Sequence, residues 1–171
     1  MNDARTDYAE HRVDLRESRI RKLLRLLESE PRGGLLDVGC AGGELAALLA
    51  ARGWRVQGAE AEPALLGAAR ARGIEARAVD LDGAALPWPD GAFDAVVAAE
   101  VIEHVVDTDH LLTEIARVLR PAGLAILDSG PDGTTAEELF ALAKPRGLTM
   151  LNRARSCVFD RFEQIAFRKN A

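Results

Sequence analysis

The apolar positions of this chain change period along its length, and the changes divide it into elements. Between residues 12 and 29, Val13, Ile20, Leu23, Leu24 and Leu27 recur at three- and four-residue spacing among arginines and acids. That spacing predicts an amphipathic helix, which Pro31-Arg32-Gly33-Gly34 ends. Short apolar runs then alternate with helical segments. Residues 35–38, 55–59, 76–79, 93–98 and 124–127 read as strands; 44–52, 62–72 and 108–120 read as helices, the last with Leu111, Leu112, Ile115, Val118 and Leu119 in one stripe. Pro121-Ala122-Gly123 is expected to break the chain before the fifth strand. A helix over 135–143 follows and stops at Lys144-Pro145-Arg146-Gly147, and residues 148–154 and 164–168 read as extended, with Cys157-Val158-Phe159 between them. These last two suit an antiparallel pair at a sheet edge.

Strands separated by helices imply right-handed crossovers and a parallel sheet covered on both faces. The expected fold is therefore α/β: a doubly wound, mostly parallel seven-stranded sheet with an antiparallel C-terminal hairpin and helices on both faces. In such sheets the ligand sits beyond the carboxyl ends of the strands. At 171 residues the chain is long enough for one full core and too short for two ordinary domains, so 1–171 is expected to be a single domain, with 1–30 as a helical lid on a core of 31–171.

Composition narrows the partners. No apolar run approaches the roughly 18 residues needed to span a bilayer, so no membrane partner is expected. The polar start Met1-Asn2-Asp3-Ala4-Arg5 lacks the apolar stretch of a secretion signal, and a cytoplasmic location follows as the expectation. Cys40 and Cys157 lie far apart, which points to reduced thiols rather than a disulfide or a zinc site. A net charge of −5 argues against an electrostatic grip on nucleic acid. Residues 33–140 carry 7 Lys/Arg against 18 Asp/Glu, whereas 141–171 carry 7 against 2, so the charge is divided unevenly. The basic tail either meets an anionic partner or turns Arg153, Arg155, Arg161, Arg168 and Lys169 outward as solvated strand charges, the second being the expectation.

The candidate chemistry begins at Leu35-Leu36-Asp37-Val38-Gly39-Cys40-Ala41-Gly42-Gly43, a strand ending in an acid and a glycine-rich turn that runs into a helix. A turn of this kind is expected to present unpaired backbone N–H groups at a cleft. Asp37, two residues before the first glycine, would repel a pyrophosphate, whereas a cationic ligand tolerates it. Gly39 sits where the chain must turn sharply, and Gly43 where a side chain would hold the helix off the sheet. About 20 residues on, Val56-Gln57-Gly58-Ala59-Glu60 brings a second carboxylate to the same cleft.

The pattern D-x-G-x-A-x-G resembles motif I of the class I S-adenosylmethionine (SAM) methyltransferases, and the resemblance extends over residues 30–170 with its motifs between 35 and 125. It implies SAM as cofactor and S-adenosylhomocysteine (SAH) as product, with Asp37, Gly39, Cys40, Ala41 and Gly43 around the methionine part. Ala41 stands where the family usually has glycine. The resemblance further implies that Glu60 accepts from the ribose hydroxyls, that Ala61 lies under the adenine, and that an acid of Asp80-Leu81-Asp82 meets the adenine amino group beside the backbone of Leu81. Asp80 is preferred over Asp82 for its place at the strand end. Leu86-Pro87-Trp88 resembles the family's L-P-F segment, and Trp88 reads as core packing. The resemblance also implies that Ala98, at the end of the fourth strand, lies at the cofactor.

Glu100-Val101-Ile102-Glu103-His104 resembles the E-V-I-E-H segment of the ubiquinone-pathway O-methyltransferases and of the metal-dependent small-RNA methyltransferases. If residues 100–104 are helical, Glu100, Glu103 and His104 share a face. Three readings stay open: a pocket-shaping segment, His104 as general base with the two glutamates beside it, or a divalent-metal site. The small-RNA branch uses a further histidine that this chain lacks after His110, so no metal is expected. The resulting expectation is transfer of a methyl group to an oxygen, less favourably a nitrogen, of a small-molecule or carrier-bound acceptor, with a homodimer left open. Its rival is a SAM-binding subunit that regulates a partner enzyme without methylating anything. Whether Tyr8, His11 and Arg12 close over the cleft would separate the two.

Overall fold

The protein is described by a computed structural model over residues 18–129, 135–155 and 163–171. Residues 12–17 of the expected first helix, the trio Tyr8, His11 and Arg12, and Cys157-Val158-Phe159 with Arg161 lie outside the described residues. The elements run α1 (Ser18–Glu28), β1 (Gly34–Val38), α2 (Glu44–Ala50), β2 (Arg55–Glu60), α3 (Pro63–Ala71), β3 (Glu75–Ala78), β4 (Phe93–Ala98), α4 (Thr108–Val118), β5 (Leu119–Ser129), α5 (Ala136–Ala143), β6 (Leu148–Arg155) and β7 (Glu163–Lys169). They form one seven-stranded sheet in the order β3-β2-β1-β4-β5-β7-β6. β3, β2, β1, β4 and β5 pair in parallel, and β7 runs antiparallel between β5 and β6. This is the expected doubly wound α/β sheet with its C-terminal hairpin. Among the described residues no helix is long and apolar enough to cross a membrane.

Alternation along the central strands feeds two cores. Leu36, Val38, Val96, Ala125 and Leu127 face α4 and α5 and pack with Leu111, Leu112, Ile115 and Leu139. Leu35, Ala95, Val97, Leu124 and Ile126 face the other way, onto Leu23, Leu24 and Leu27 of α1 and Leu49 of α2. A smaller cluster of Cys40, Ala46, Leu66, Ala69, Ile74 and Ala76 joins α2 and α3 to the β2–β3 side. Burying strands on both faces is what makes them read as continuous apolar runs. The helices are also started locally: Glu62 caps α3 ahead of Pro63, and Thr135 and Glu138 form a reciprocal capping box on α5.

Two details depart from expectation. Pro121-Ala122-Gly123 does not separate α4 from the fifth strand; β5 starts at Leu119 and carries these residues as a bulge, in which the register jumps from Phe93↔Leu119 to Ala95↔Leu124. Proline lacks an N–H and so is tolerated where the ladder is already interrupted, and Ala122 takes a left-handed φ of 59°. Asp94, opposite the bulge, accepts from Gly34 N–H of β1 at 2.7 Å and from Arg120 Nε of β5 at 2.6 Å, so its side chain ties the strands on either side of β4 together at this point. The basic tail is also not simply solvated. Arg168 grips Glu30 through two bonds of 2.7 and 2.8 Å, Lys169 donates to Leu119 O, and Arg146 pairs with Asp109. Part of the positive charge is therefore used to tie the hairpin and its preceding turn to the body.

One buried network holds the loop between β3 and β4. Glu114 of α4, 7% exposed, accepts from Leu86 N–H at 2.7 Å and from Arg117 at 2.7 and 2.9 Å. Arg117 in turn donates to Leu86 O, Trp88 O and Asp90. Trp88 lies in the core as expected, edge-on to Phe93, with its indole N–H on Gln57. The hydrogen bonds from Arg117 hold Glu114 below the ordinary carboxylate range, outweighing burial. Glu114→Ala leaves a buried amide and a guanidinium without their partner and is expected to cost about 3 kcal/mol in urea denaturation at pH 7. Because the folded pKa is lowered, the wild-type contribution is present above the unfolded carboxyl pKa and is lost as pH falls through the folded one, so the difference between the two proteins should shrink below about pH 4.

Candidate functional site

The strand order reverses between β1 and β4, since β1 connects outward to β2 on one side and the chain later returns to lay β4 on the other. A crevice opens at the carboxyl ends of the strands at such a switch point. The tips of β1, β2, β4 and β5 all bring acids to this edge: Asp37, Glu60, Glu100 and Asp128.

Asp37 shares the side of Leu35 and is only 2% exposed. Its Oδ2 has no hydrogen-bond partner among the described residues. Burial, reinforced by the nearby charge of Glu60, pushes its pKa up to about 7. The turn that follows has two residues with positive φ, Gly39 at 67° and Ala41 at 46°, before Gly43 at 84°. A Cβ on Gly39 would lie 2.4 Å from Cγ2 of Val101, so the residue after the Glu100 corner roofs the turn after β1. A Cβ on Gly43 would meet Ala69 of α3 at 3.0 Å and Ile74, which leads into β3, at 3.3 Å, so the glycine lets α2 approach a neighbouring helix as well as the start of a strand. Four of the turn's five amides are engaged within the protein. Gly39 and Cys40 N–H both donate to Ala59 O, Ala41 N–H donates to Glu60 Oε2 at 2.9 Å, and Gly43 N–H donates to Cys40 O. Cys40 is buried against Gly58, where a Cβ would stand 2.6 Å from its sulfur. Burial, with the charges of Asp37 and Glu60, pushes its thiol up to about 12.

Glu60, 8% exposed, completes the turn from the next strand by accepting Ala41 N–H through one oxygen and Glu62 N–H at 2.8 Å through the other. A carboxylate has about four acceptor positions, so two remain. Ala61 is exposed beside it. Asp80 and Asp82 are both exposed but differently engaged: Asp80 only closes its own turn, accepting Asp82 N–H at 3.1 Å, whereas Asp82 accepts Val106 N–H from the loop after β4. Leu81 is half-buried against the α4 core. Ala98 lies wholly inside that core, with no surface at the crevice.

Residues 100–104 do not form a common helical face. Glu100 turns the chain with φ 55°, and only Ile102–His104 make a single 3₁₀ turn. Glu100 is half-exposed and ion-paired with Arg19 of α1, Glu103 is half-buried with Oε2 unpartnered among the described residues, and His104 is exposed. Among the described residues no three His, Cys, Asp or Glu converge on a point suited to a metal ion. Asp128 is the acid that sequence reasoning missed. It is 1% exposed, accepts from Gln164 Nε2 at 2.8 Å, and is raised to about 6 by burial against the opposing effects of Gln164 and Arg19. The signal was present in Leu127-Asp128, which repeats at the fifth strand the acid-at-the-tip pattern of the first two.

The cleft thus fits a ligand with a cationic group and no phosphate, because a buried carboxylate oxygen awaits a donor at the turn and Gly39 removes the side chain that would meet Val101. Residues 36–127 match the methyltransferase domain family. The chain is 42% identical over 112 residues to a demethylmenaquinone methyltransferase of Thermus thermophilus, covering 61% of this chain and 50% of that protein. It is 33% identical over 160 residues to a ubiquinone biosynthesis O-methyltransferase of Xanthomonas oryzae, covering 86% and 60%. The chain spans about half the length of the curated relatives it matches. Among solved structures it is similar to a TehB-like SAM-dependent methyltransferase from Corynebacterium glutamicum, with TM-score 0.74, 27% identity and 88% and 87% of the two chains covered. The magnesium protoporphyrin IX methyltransferase of Synechocystis with bound SAM shares the fold at TM-score 0.75 and 16% identity, over 89% and 78%.

Asp37→Asn keeps the shape of the site and removes the buried charge. Between about pH 4 and pH 7 the folded protein holds a proton on Asp37 that the unfolded chain has lost, so wild-type stability should fall as pH rises through that window. The variant is expected to be more stable than wild type in the ligand-free state at pH 8, by about 2 kcal/mol, with the advantage vanishing near pH 4. Urea midpoints across this range measure it. Ala41→Gly should also be stabilising, by about 1 kcal/mol, since glycine takes the positive φ without strain.

Proposed function

The chain belongs to the SAM-dependent methyltransferases, and we propose on that footing that it moves a methyl group from SAM to an oxygen or nitrogen of a small-molecule acceptor by in-line displacement, with oxygen favoured. The observation that carries the reading is Asp37, a buried acid whose free oxygen lies beneath the turn after β1. An ammonium above that oxygen would supply both the missing donor and the opposite charge. The name of the Xanthomonas relative, a ubiquinone biosynthesis O-methyltransferase, supports the preference for oxygen.

Bound SAM supplies a methyl group already activated by its sulfonium. The work left to the protein is to hold, orient and exclude water. On this reading Asp37 faces the ammonium group of the cofactor, Gly39, Cys40, Ala41 and Gly43 shape the turn against its methionine part, and Glu60 offers its two unused acceptor positions to the ribose hydroxyls. Ala61 and Leu81 border the adenine. Asp80 takes the adenine amino group, because Asp82 is already committed to Val106 N–H. Ala98 acts from below, by packing the strand that carries the Glu100 corner. His104, exposed on its 3₁₀ turn, is the base that removes a proton from a hydroxyl acceptor, with Glu100 and Glu103 fixing the segment. No metal is required in this arrangement.

Substituting Glu60→Ala removes two charged hydrogen bonds to the ligand and should weaken SAH binding by about 2 kcal/mol in calorimetry. Unchanged affinity would remove the ribose role. His104→Ala should lower turnover by about 10²–10⁴ with SAH affinity near wild type, because proton removal matters only in the transition state. Full activity in that variant, with labelled SAM and a cell extract as the acceptor source, would leave the 100–104 segment as pocket wall.

A further inference from the structure

We infer that the tips of β5 and β7 anchor the methyl acceptor through a protonated amine on it, with Asp128 and Gln164 as the positioning residues; this rests on the methyl-transfer reading. The two side chains pair across neighbouring strands, at register partners Asp128 and Gln164, and follow Ile126 and Ala166 on the face covered by α1. A stitch between two strands needs one donor and one acceptor. Here Gln164 Nε2 supplies the donor to Asp128 Oδ1, with a longer 3.3 Å bond to Arg19 O, and the stitch is complete. It leaves Asp128 Oδ2 and Gln164 Oε1 unpartnered among the described residues, on side chains only 1% and 4% exposed, and Glu103 Oε2 is in the same condition.

These three oxygens are all acceptors, so no rearrangement among them satisfies any, and the guanidinium beside them, that of Arg19, is engaged with Glu100. Among the described residues Asp128 feels the charges of two further acids, Glu100 and Glu103, against the one guanidinium of Arg19. What completes it is a positive group carrying several N–H donors. An ammonium has three donors and one charge, whereas a hydroxyl brings a single donor and no charge, and a carboxylate or phosphate is repelled. A metal ion is disfavoured, since among the described residues no three carboxylate, histidine or cysteine ligands converge.

The cluster adjoins the cleft. Ala98 and Leu127 are paired in register, so Glu100 and Asp128 leave adjacent strands at the same sheet edge. Glu100 is 43% exposed on its side chain and Asp128 is enclosed, which grades the cluster from the surface inward. Glu100 also holds a left-handed backbone, the sort of local strain that persists where the surroundings impose it. An acceptor whose amine is held at Asp128 presents the rest of its body toward the crevice of Asp37, Glu60 and His104. The amine is the handle, and the methylated atom lies elsewhere on the molecule.

Calorimetric titration of the whole chain with benzylamine and with its neutral counterpart benzyl alcohol, each with and without saturating SAH, tests this. The amine is expected to bind at least tenfold more tightly than the alcohol. Asp128→Asn should abolish that preference while SAH affinity stays within twofold of wild type, and Glu103→Gln should reduce it. Asp128→Glu, which restores the charge, should recover part of it; a purely structural role would not distinguish amine from alcohol. Equal binding of the two compounds to the wild-type chain, including no binding of either, overturns the proposal, as does a preference that survives Asp128→Asn. Absence of SAH binding defeats the methyl-transfer reading instead, and the SAH-free titrations then still decide whether the amine site exists.

Discussion

Asp37 holds a charge-bearing group where the fold can least accommodate one, at the end of the central strand and shut off from water, with one oxygen unmatched. The structure around it is arranged on that condition. Glu60 lies close enough to raise its pKa, yet spends its own oxygens on the amides of Ala41 and Glu62, so the turn is propped open by one acid over another. Val101 roofs Gly39 from the next strand over. A cleft made this way discourages phosphate and favours a cation, and the arginine described at the turn, Arg72, is occupied by Gly42 O and Glu44.

The cost of such a site is carried by packing elsewhere. Two apolar layers enclose the central strands, and the loop leading into β4 is fastened by Glu114 and Arg117 instead of by regular structure. Destabilised functional groups set in an over-determined frame are a general way to keep a strained site in place. The left-handed backbones of Ala41 and Glu100, at the two corners that face one another across β1 and β4, fit the same description.

Most of the fold was legible because it depends on local periodicity. Apolar runs of four to six residues between helical stripes leave few topologies, and the glycine and proline breaks mark the joints. Pro121-Ala122-Gly123 reads as a break because a bulge and a chain break carry the same residues; the pairing of Leu119 with Phe93 and of Leu124 with Ala95 distinguishes them, and those partners lie more than twenty residues away in sequence. The same limit applied to the site. Asp37 and Glu60 were readable as acids at strand tips. That Gly43 clears α3, that Val101 covers Gly39, and that Glu100 leaves the helix for a pair with Arg19 all depend on which elements become neighbours. Asp128 escapes the sequence reading for another reason: the motif pattern ends before the fifth strand, although the acid at the strand tip recurs there.

The central claim is that an unmatched buried acid selects a phosphate-free cationic cofactor. Its most direct test is the melting temperature of the purified chain with SAM, with SAH and with NAD at equal concentrations, since a ligand bound only to the native state raises it by mass action. The account predicts a concentration-dependent rise with SAM and SAH and none with NAD. A rise with NAD equal to or larger than that with SAM would contradict it.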